Sequence, residues 1–274
     1  MILIILIKAI QQKFFSLPPL PAPGFFSNKN TNATFIAMII LPFCAYFLNI
    51  KTSNYKSHLT GFIIACGTFI IALTVSRGAV LGLTIGLCIL FIHTRLEKLS
   101  IKHFLILLIY LGSGYLVAEL LTGATYWSRL SNQSISTNIT TISTGRDFIW
   151  ASGWKMYLET PMLGRGFNMF HWLFPQFRHR DAPDIGQFAH NDYLQFLIEL
   201  GPIGLMLFIS FIACFIKSSW KLHTKIVDNK QKLQNLGLIS ACIAVLSHSF
   251  FTFNLYQPAP LLLMGLYMGT LSQR

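Results

Sequence analysis

Residues 185–216, IGQFAHNDYLQFLIELGPIGLMLFISFIACFI, decide the fold. From Leu194 to Ile216 the run is about as long and apolar as the roughly 20 residues a helix needs to cross the hydrocarbon of a bilayer. A polar cluster, His190-Asn191-Asp192, stands at its mouth. A titratable imidazole at a membrane boundary points to chemistry at the surface rather than to a plain anchor.

The whole composition agrees. Hydrophobic residues make up 53% of the 274 and charged residues 11%, with a mean hydropathy of +0.57, which is too apolar for an ordinary soluble domain. Further apolar runs place spans at roughly 34–50, 59–75, 78–94, 104–122, 194–216, 236–252 and 257–272. The expected fold is therefore an all-α polytopic membrane protein with about seven transmembrane helices and one large, partly helical external loop. Its expected organisation is an N-terminal stub and external lead-in over 1–33, four transmembrane helices over 34–122, the large loop over 123–193 and three transmembrane helices over 194–274.

The net charge of +12 would suggest nucleic acid in a soluble protein; here loop charge explains it and no nucleic-acid partner is expected. The connectors 51–58, 95–103 and 217–235 carry ten Lys/Arg in 36 residues, against six in the 71 residues of 123–193. Those connectors should be cytoplasmic. The opposite face then receives the Ser27-Asn28-Lys29-Asn30 lead-in, the Ser76-Arg77-Gly78 hairpin, segment 123–193, and the Phe253-Asn254-Leu255 turn with Gln257. On this topology the first span starts outside with no span before it, so upstream helices are expected to be missing. The opening MILIILIKAIQQKFF is too short to cross and lacks a cleavage site; it reads as an interfacial stub or a truncation scar. Cys44, Cys66, Cys88, Cys214 and Cys242 fall in apolar runs without metal-binding spacing and read as small buried residues.

Segment 123–193 holds four of the five tryptophans, Trp127, Trp150, Trp154 and Trp172. Residues 130–143 read as flexible and polar. Thr144-x-x-Asp147 is a candidate capping box for a helix through about Glu159, ended by Pro161. Its apolar residues Ile149, Trp150, Trp154 and Tyr157 suit the bundle or the membrane interface. Gly164-Arg165-Gly166 reads as a tight turn, and His171 to Asp184 as a mixed, partly exposed stretch.

Four polar residues are candidates for chemistry, each with a structural alternative. Arg77 separates two apolar runs; it either snorkels to headgroups or faces an external cavity and holds an anion. Arg146 would sit in the first turn of the loop helix, where free amides favour anions and a guanidinium adds a fork suited to phosphate. Its alternatives are a pair with Asp147 or a contact with Trp150. Arg165 is backbone-accessible between glycines, as turn arginines often are. His190 is either a satisfied structural histidine or a proton acceptor for a hydroxyl, with Asn191 or Asp192 capping the helix and Asp192 orienting the ring. Tyr193, Gln195 and Glu199 continue the polar side, and His248 and Asn254 are expected to approach that face.

Such a set suits phosphate-anchored transfer. A sugar on a diphosphate brings its own leaving group, so arginines neutralise charge and a histidine activates the acceptor hydroxyl. No DxD, HExxH or carboxylate cluster offers a metal site, Asp181 and Asp184 being a weak pair, and no Walker loop is present. Neither metal nor cofactor is expected.

Four ordered motifs carry a resemblance over about 23–274: PGFFSNKNTNATFIAMIILP, SRGAVLGL, GRDFIWASGWKMYLETPMLGRGFNMF and AHNDYLQFLIELGPIGL. In that order they resemble the O-antigen ligase and polymerase family of bacterial membrane glycosyltransferases, which includes related pilin O-oligosaccharyltransferases. The resemblance implies transfer of a glycan from undecaprenyl diphosphate outside the bacterial inner membrane. It makes Arg77, Arg146 and Arg165 candidate diphosphate ligands and His190 the candidate base, supported by Asn191 and Asp192. Family members carry more spans before the Asn motif than this chain has, which puts its completeness in question. The implied acceptor is lipid A-core for a ligase, a second lipid-linked glycan for a polymerase, or a pilin hydroxyl; the single sizeable external loop favours the ligase. A transporter or flippase, or an inactive fragment, are the competing readings, and the span centres lack the ionisable residues a transporter places there.

Overall fold

A computed structural model describes residues 1–15, 24–26, 28–52, 54–96, 101–123, 143–183 and 186–273. Among them are ten α-helices and no strand. They are α1 (Ile2–Phe14), α2 (Lys29–Asn49), α3 (Tyr55–Thr74), α4 (Arg77–Leu96), α5 (Ile101–Thr122), α6 (Arg146–Leu158), α7 (Phe170–Phe177), α8 (Asp192–Lys225), α9 (Asn229–His248) and α10 (Pro258–Ser272), with a 3-10 turn at Asn254–Tyr256. Each of the seven apolar runs read from the sequence lies largely within a helix. Four helices, α2, α3, α5 and α8, are long and apolar enough to cross a membrane, and Arg77–His93 forms a shorter apolar helix. Of the expected 130–143 stretch, 130–142 lies outside the described residues, as do Trp127, Asp184 and Ser27.

The chain divides into two compact units. The first comprises Met1–Tyr126, Ser218–His248 and Gln257–Arg274. Asn28 and Asn54 start its helices, each side-chain oxygen accepting a backbone N–H two residues on, from Asn30 at 2.7 Å and from Lys56 at 3.0 Å. At the unit's centre α2 packs on α9, α3 and α4, while α5 and α1 pack on α3. Backbone approach is close where the sequence supplies glycine: a side chain at Gly114 of α5 would stand 2.0 Å from the Ala65 carbonyl of α3. Small residues permit this contact, and dispersion between closely packed helices replaces the hydrophobic drive that lipid does not supply.

The second unit comprises Trp127–Lys217 and Ser249–Tyr256. It has its own core, formed by Ile149 and Met156 of α6, Phe170 and Phe174 of α7, Ala182, Ala189, and Ile198 of α8. The 143–193 part of the expected loop is thus folded around the first turns of a spanning helix.

Several local expectations need correction. Thr144 does not cap α6: it has φ 58, its hydroxyl donates to the Ser143 carbonyl, and Ser143 instead bonds the Asp147 carboxylate. The stretch after His171 is mixed and partly exposed over 171–183, as expected, and its start is helical because Phe170 and Phe174, one turn apart, bury one face of α7. The basic connector 217–235 is mostly helical: α8 continues to Lys225, and α9 begins at Asn229 because Asp228 accepts the N–H of Gln231 at 3.0 Å. Of the five cysteines, which are all free, only Cys44 and Cys242 are buried; Cys88 and Cys214 face outward on their helices.

Candidate functional site

His190 stands in the second unit, at a sharp corner before α8. Its backbone is left-handed, φ 53, a conformation that costs a non-glycine residue about a kcal/mol or more and persists only where its surroundings impose it. They do so from three directions. Trp150 of α6 donates its indole N–H to the Ala189 carbonyl at 2.9 Å, and the Gln195 side chain accepts the Ala189 N–H at 3.0 Å. Asn191 caps α8, its Oδ1 accepting the N–H of Leu194 at 3.1 Å. The half-buried imidazole meets the Phe253 ring edge-on at 5.1 Å, and Phe253 stacks on Phe188 at 4.1 Å.

Asp192, the next residue, is fully buried. Its N–H donates to the Ser249 carbonyl at 2.9 Å and its Oδ2 accepts the N–H of Leu255 at 3.1 Å. Both bonds tie the helix mouth to segment Ser249–Tyr256. Arg146, at the start of α6, reaches the same segment and donates to the Phe251 carbonyl at 2.6 Å. The neighbouring Asp147 carboxylate accepts from the Ser143 hydroxyl. Arg146 and Trp150 are one helical turn apart, so α6 sets a guanidinium beside Phe251 and anchors the peptide that carries His190. The structure thus brings Arg146, His190 and Asp192 to one short segment, with Asn191 beside them as the cap of α8.

Arg165 is placed differently. Its guanidinium pairs with Glu159 at 2.6 Å, donates to the Met156 carbonyl at 3.3 Å and lies 5.5 Å from the Phe177 ring centroid, closing the C-terminal end of α6. Arg77 belongs to the first unit, where it opens α4 after Val75, whose φ of 53 ends α3. Buried hydroxyls of Thr74 and Ser76 precede it. In the same unit His248 closes α9 and its Nδ1 lies 2.7 Å from the Thr34 hydroxyl of α2. Asn254 stands beside Leu255, which donates to Asp192.

Glu199 and Tyr256 carry more structure than their sequence suggests. The buried Glu199 carboxylate accepts the N–H groups of Asn168 at 2.7 Å and Phe170 at 3.1 Å, the Gln195 amide at 3.1 Å and the Tyr256 hydroxyl at 2.6 Å. Burial first, and the adjacent carboxylate second, push the Tyr256 phenol well above its ordinary range, so it stays a donor. The next turn of α8 explains the partnership. Pro202 has no N–H for the Ile198 carbonyl, and Gly201 leaves the helix at φ 69, ψ 180. The Ile198 and Glu199 carbonyls accept instead from Arg165 and Gly166, both at 2.9 Å. Gly164 and Gly201 make room: a Cβ at either would lie 2.5 or 2.6 Å from the carbonyl of Glu199 or Met162 respectively. The sequence signal was Gly201-Pro202 beside Gly164-Arg165-Gly166; nothing in the sequence joined the two.

The described residues contain no group of three or more His, Cys, Asp or Glu suited to a metal. What the second unit offers is a cationic fork, an imidazole and a rigid frame, at the mouth of a spanning helix. The sequence profile of the O-antigen ligase family matches residues 62–209, which include Arg77, Arg146, Arg165 and His190. The chain belongs to the O-antigen ligase family. It is also similar to the teichuronic acid biosynthesis protein TuaE of Bacillus subtilis (strain 168), at 24% identity over 236 residues, covering 84% of this chain and 47% of that protein. The chain therefore spans about half the length of the curated relative it matches. Family and helices together make it a multi-pass membrane protein.

Proposed function

We propose that this O-antigen ligase family member moves a glycan from undecaprenyl diphosphate to lipid A-core, in lipopolysaccharide biosynthesis, at the periplasmic face of the bacterial inner membrane. The observation that carries the reading is the convergence of Arg146 and His190 on segment Ser249–Tyr256. In this reading the chain crosses the membrane seven times, with segment 123–193 outside, as the lysine and arginine count of the connectors supports.

The reaction joins the acceptor hydroxyl oxygen to the anomeric carbon while the bond from that carbon to the diphosphate breaks. The electron pair leaves with the diphosphate, and the hydroxyl proton passes to the neutral imidazole of His190. Arg146 neutralises the leaving diphosphate, and Arg77 is assigned to the same anion on the family motif it carries. Arg165 joins them only by releasing Glu159. Asn191 and Asp192 position His190 without touching substrate. No step calls for a metal ion.

A second reading is a polymerase that uses another lipid-linked glycan as acceptor, which suits a relative named for teichuronic acid biosynthesis as well as a ligase does. The chain reconstituted in liposomes with a glycan on undecaprenyl diphosphate, offered lipid A-core or a second lipid-linked glycan, separates them. Product on lipid A-core alone supports the ligase, chain growth supports the polymerase, and no transfer to either rejects both.

A further inference from the structure

We infer that the turn between α6 and α7, with the outer faces of both helices, is inserted in the leaflet where α8 begins, and that its partner is lipid acyl chains. The inference rests on the membrane character of α8 and is independent of the proposed chemistry.

The depth follows from α8. Its uncharged run ends at Lys217, and a hydrocarbon thickness of about 30 Å at 1.5 Å per residue takes about 20 residues, which puts the other boundary near residue 197. Segment 162–166 docks on α8 at that boundary and just inside it. Arg165 and Gly166 donate to the Ile198 and Glu199 carbonyls, and a Cβ at Gly201 would stand 2.6 Å from the Met162 carbonyl and 3.2 Å from the Leu163 carbonyl carbon. The turn is thus held by backbone bonds at a level where α8 itself faces lipid.

The surface there is apolar on both sides of the contact. Leu163 is 85% exposed, Met162 and Phe167 are nearly two-thirds exposed, and Trp172 of α7 is 68% exposed. On α8, Ile203 and Leu207 are likewise exposed, at 53% and 68%. In water this patch would be an aggregation liability, whereas beside a spanning helix it continues a lipid-facing surface. Helix α6 fits the same placement. Ile149, Ser152 and Met156 face the unit's core while Trp154 and Leu158, four residues apart, face outward. Lys155, exposed between them, is long enough to carry its ammonium to the headgroups while its stem lies along the apolar residues. Tryptophans are the usual anchors at the headgroup level, which suits Trp154 and Trp172. The one arginine in the turn is neutralised by Glu159 at 2.6 Å, as a charge near hydrocarbon requires.

Spin labels on single cysteines test this in liposomes, with the five native cysteines replaced. A label at Leu163→Cys should be more accessible to oxygen than to a water-soluble nickel chelate, and one at Arg180→Cys, where the side chain is 90% exposed, should show the reverse. Leu163 contributes little to the core, so the label itself does not threaten folding. Nickel access at 163 equal to that at 180 would overturn the inference in favour of water, and exclusion of both reagents at 163 would overturn it in favour of a covering protein segment or second copy. In the chain with its native cysteines, lipids brominated near the ester carbonyl should quench tryptophan emission, and the quenched fraction should fall in Trp172→Phe. An unchanged fraction contradicts the placement.

Discussion

Replacing Glu199 by alanine should loosen one defined part of the second unit. The carboxylate accepts two backbone N–H groups, from Asn168 and Phe170, and two side-chain donors, from Gln195 and Tyr256. The side chains can turn to other partners, but the backbone donors cannot. Each orphaned buried donor costs about 1–3 kcal/mol, so the pair costs about 2–6 kcal/mol, less whatever entering water returns. Taking the lower end, about 2 kcal/mol, and about 1.4 kcal/mol per tenfold, local opening around 166–170 becomes roughly 30-fold more frequent. Amide hydrogen exchange in liposomes or micelles reads that opening directly. Peptides covering 166–170 should exchange at least about tenfold faster in Glu199→Ala, while α6 amides around Ile149 and Met156 keep their protection. Glu199→Gln should fall between, because one carbonyl oxygen survives and Tyr256 can accept from the new amide, yet one backbone N–H faces an NH2 group. Exchange unchanged at 166–170 in a folded Glu199→Ala protein would refute the assignment of Glu199 as the tie between α8 and the turn.

Arg77→Lys and Arg146→Lys should each lower transfer by about tenfold or more, since an ammonium cannot reproduce a bidentate fork; initial rates on the reconstituted proteins check this, and wild-type rates in both would remove the diphosphate assignment. Transfer should withstand strong chelation, and loss with EDTA followed by recovery on adding magnesium would contradict arginine neutralisation of the leaving group. A cysteine at 180 should react with a membrane-impermeant thiol reagent added outside and one at 225 should stay protected; the opposite pattern would invert the topology.

Much of this was legible because lipid imposes a simple rule on sequence: runs of about 20 apolar residues become helices whatever their neighbours. The seven runs accordingly match helices in position, and the polar groups His190, Asn191 and Asp192 stand at the mouth of α8. Boundaries were less legible where capping outweighs hydropathy. Asp228 starts α9 inside a basic connector, and with Thr144 left-handed α6 starts only after Gly145, without a side-chain cap. Least legible were the long-range ties. Glu199 reads as one more polar residue on a helix face, and only the break at Gly201-Pro202 turns its neighbours' carbonyls toward Arg165 and Gly166. Trp150 likewise reads as packing, although its N–H holds the residue before His190. Sequence spacing carries helix periodicity, not the partner that a freed carbonyl finds thirty residues away.

The central claim is that His190 accepts the proton of the acceptor hydroxyl. The most direct measurement compares wild-type and His190→Ala protein in liposomes for glycan transfer and, separately, for binding of the undecaprenyl-diphosphate-linked donor. General-base help is worth about 10²–10⁴ in rate, so transfer should fall by that range while donor binding stays nearly intact. Near-normal turnover by a folded His190→Ala protein would contradict the base role and leave His190 a residue that shapes the mouth of α8.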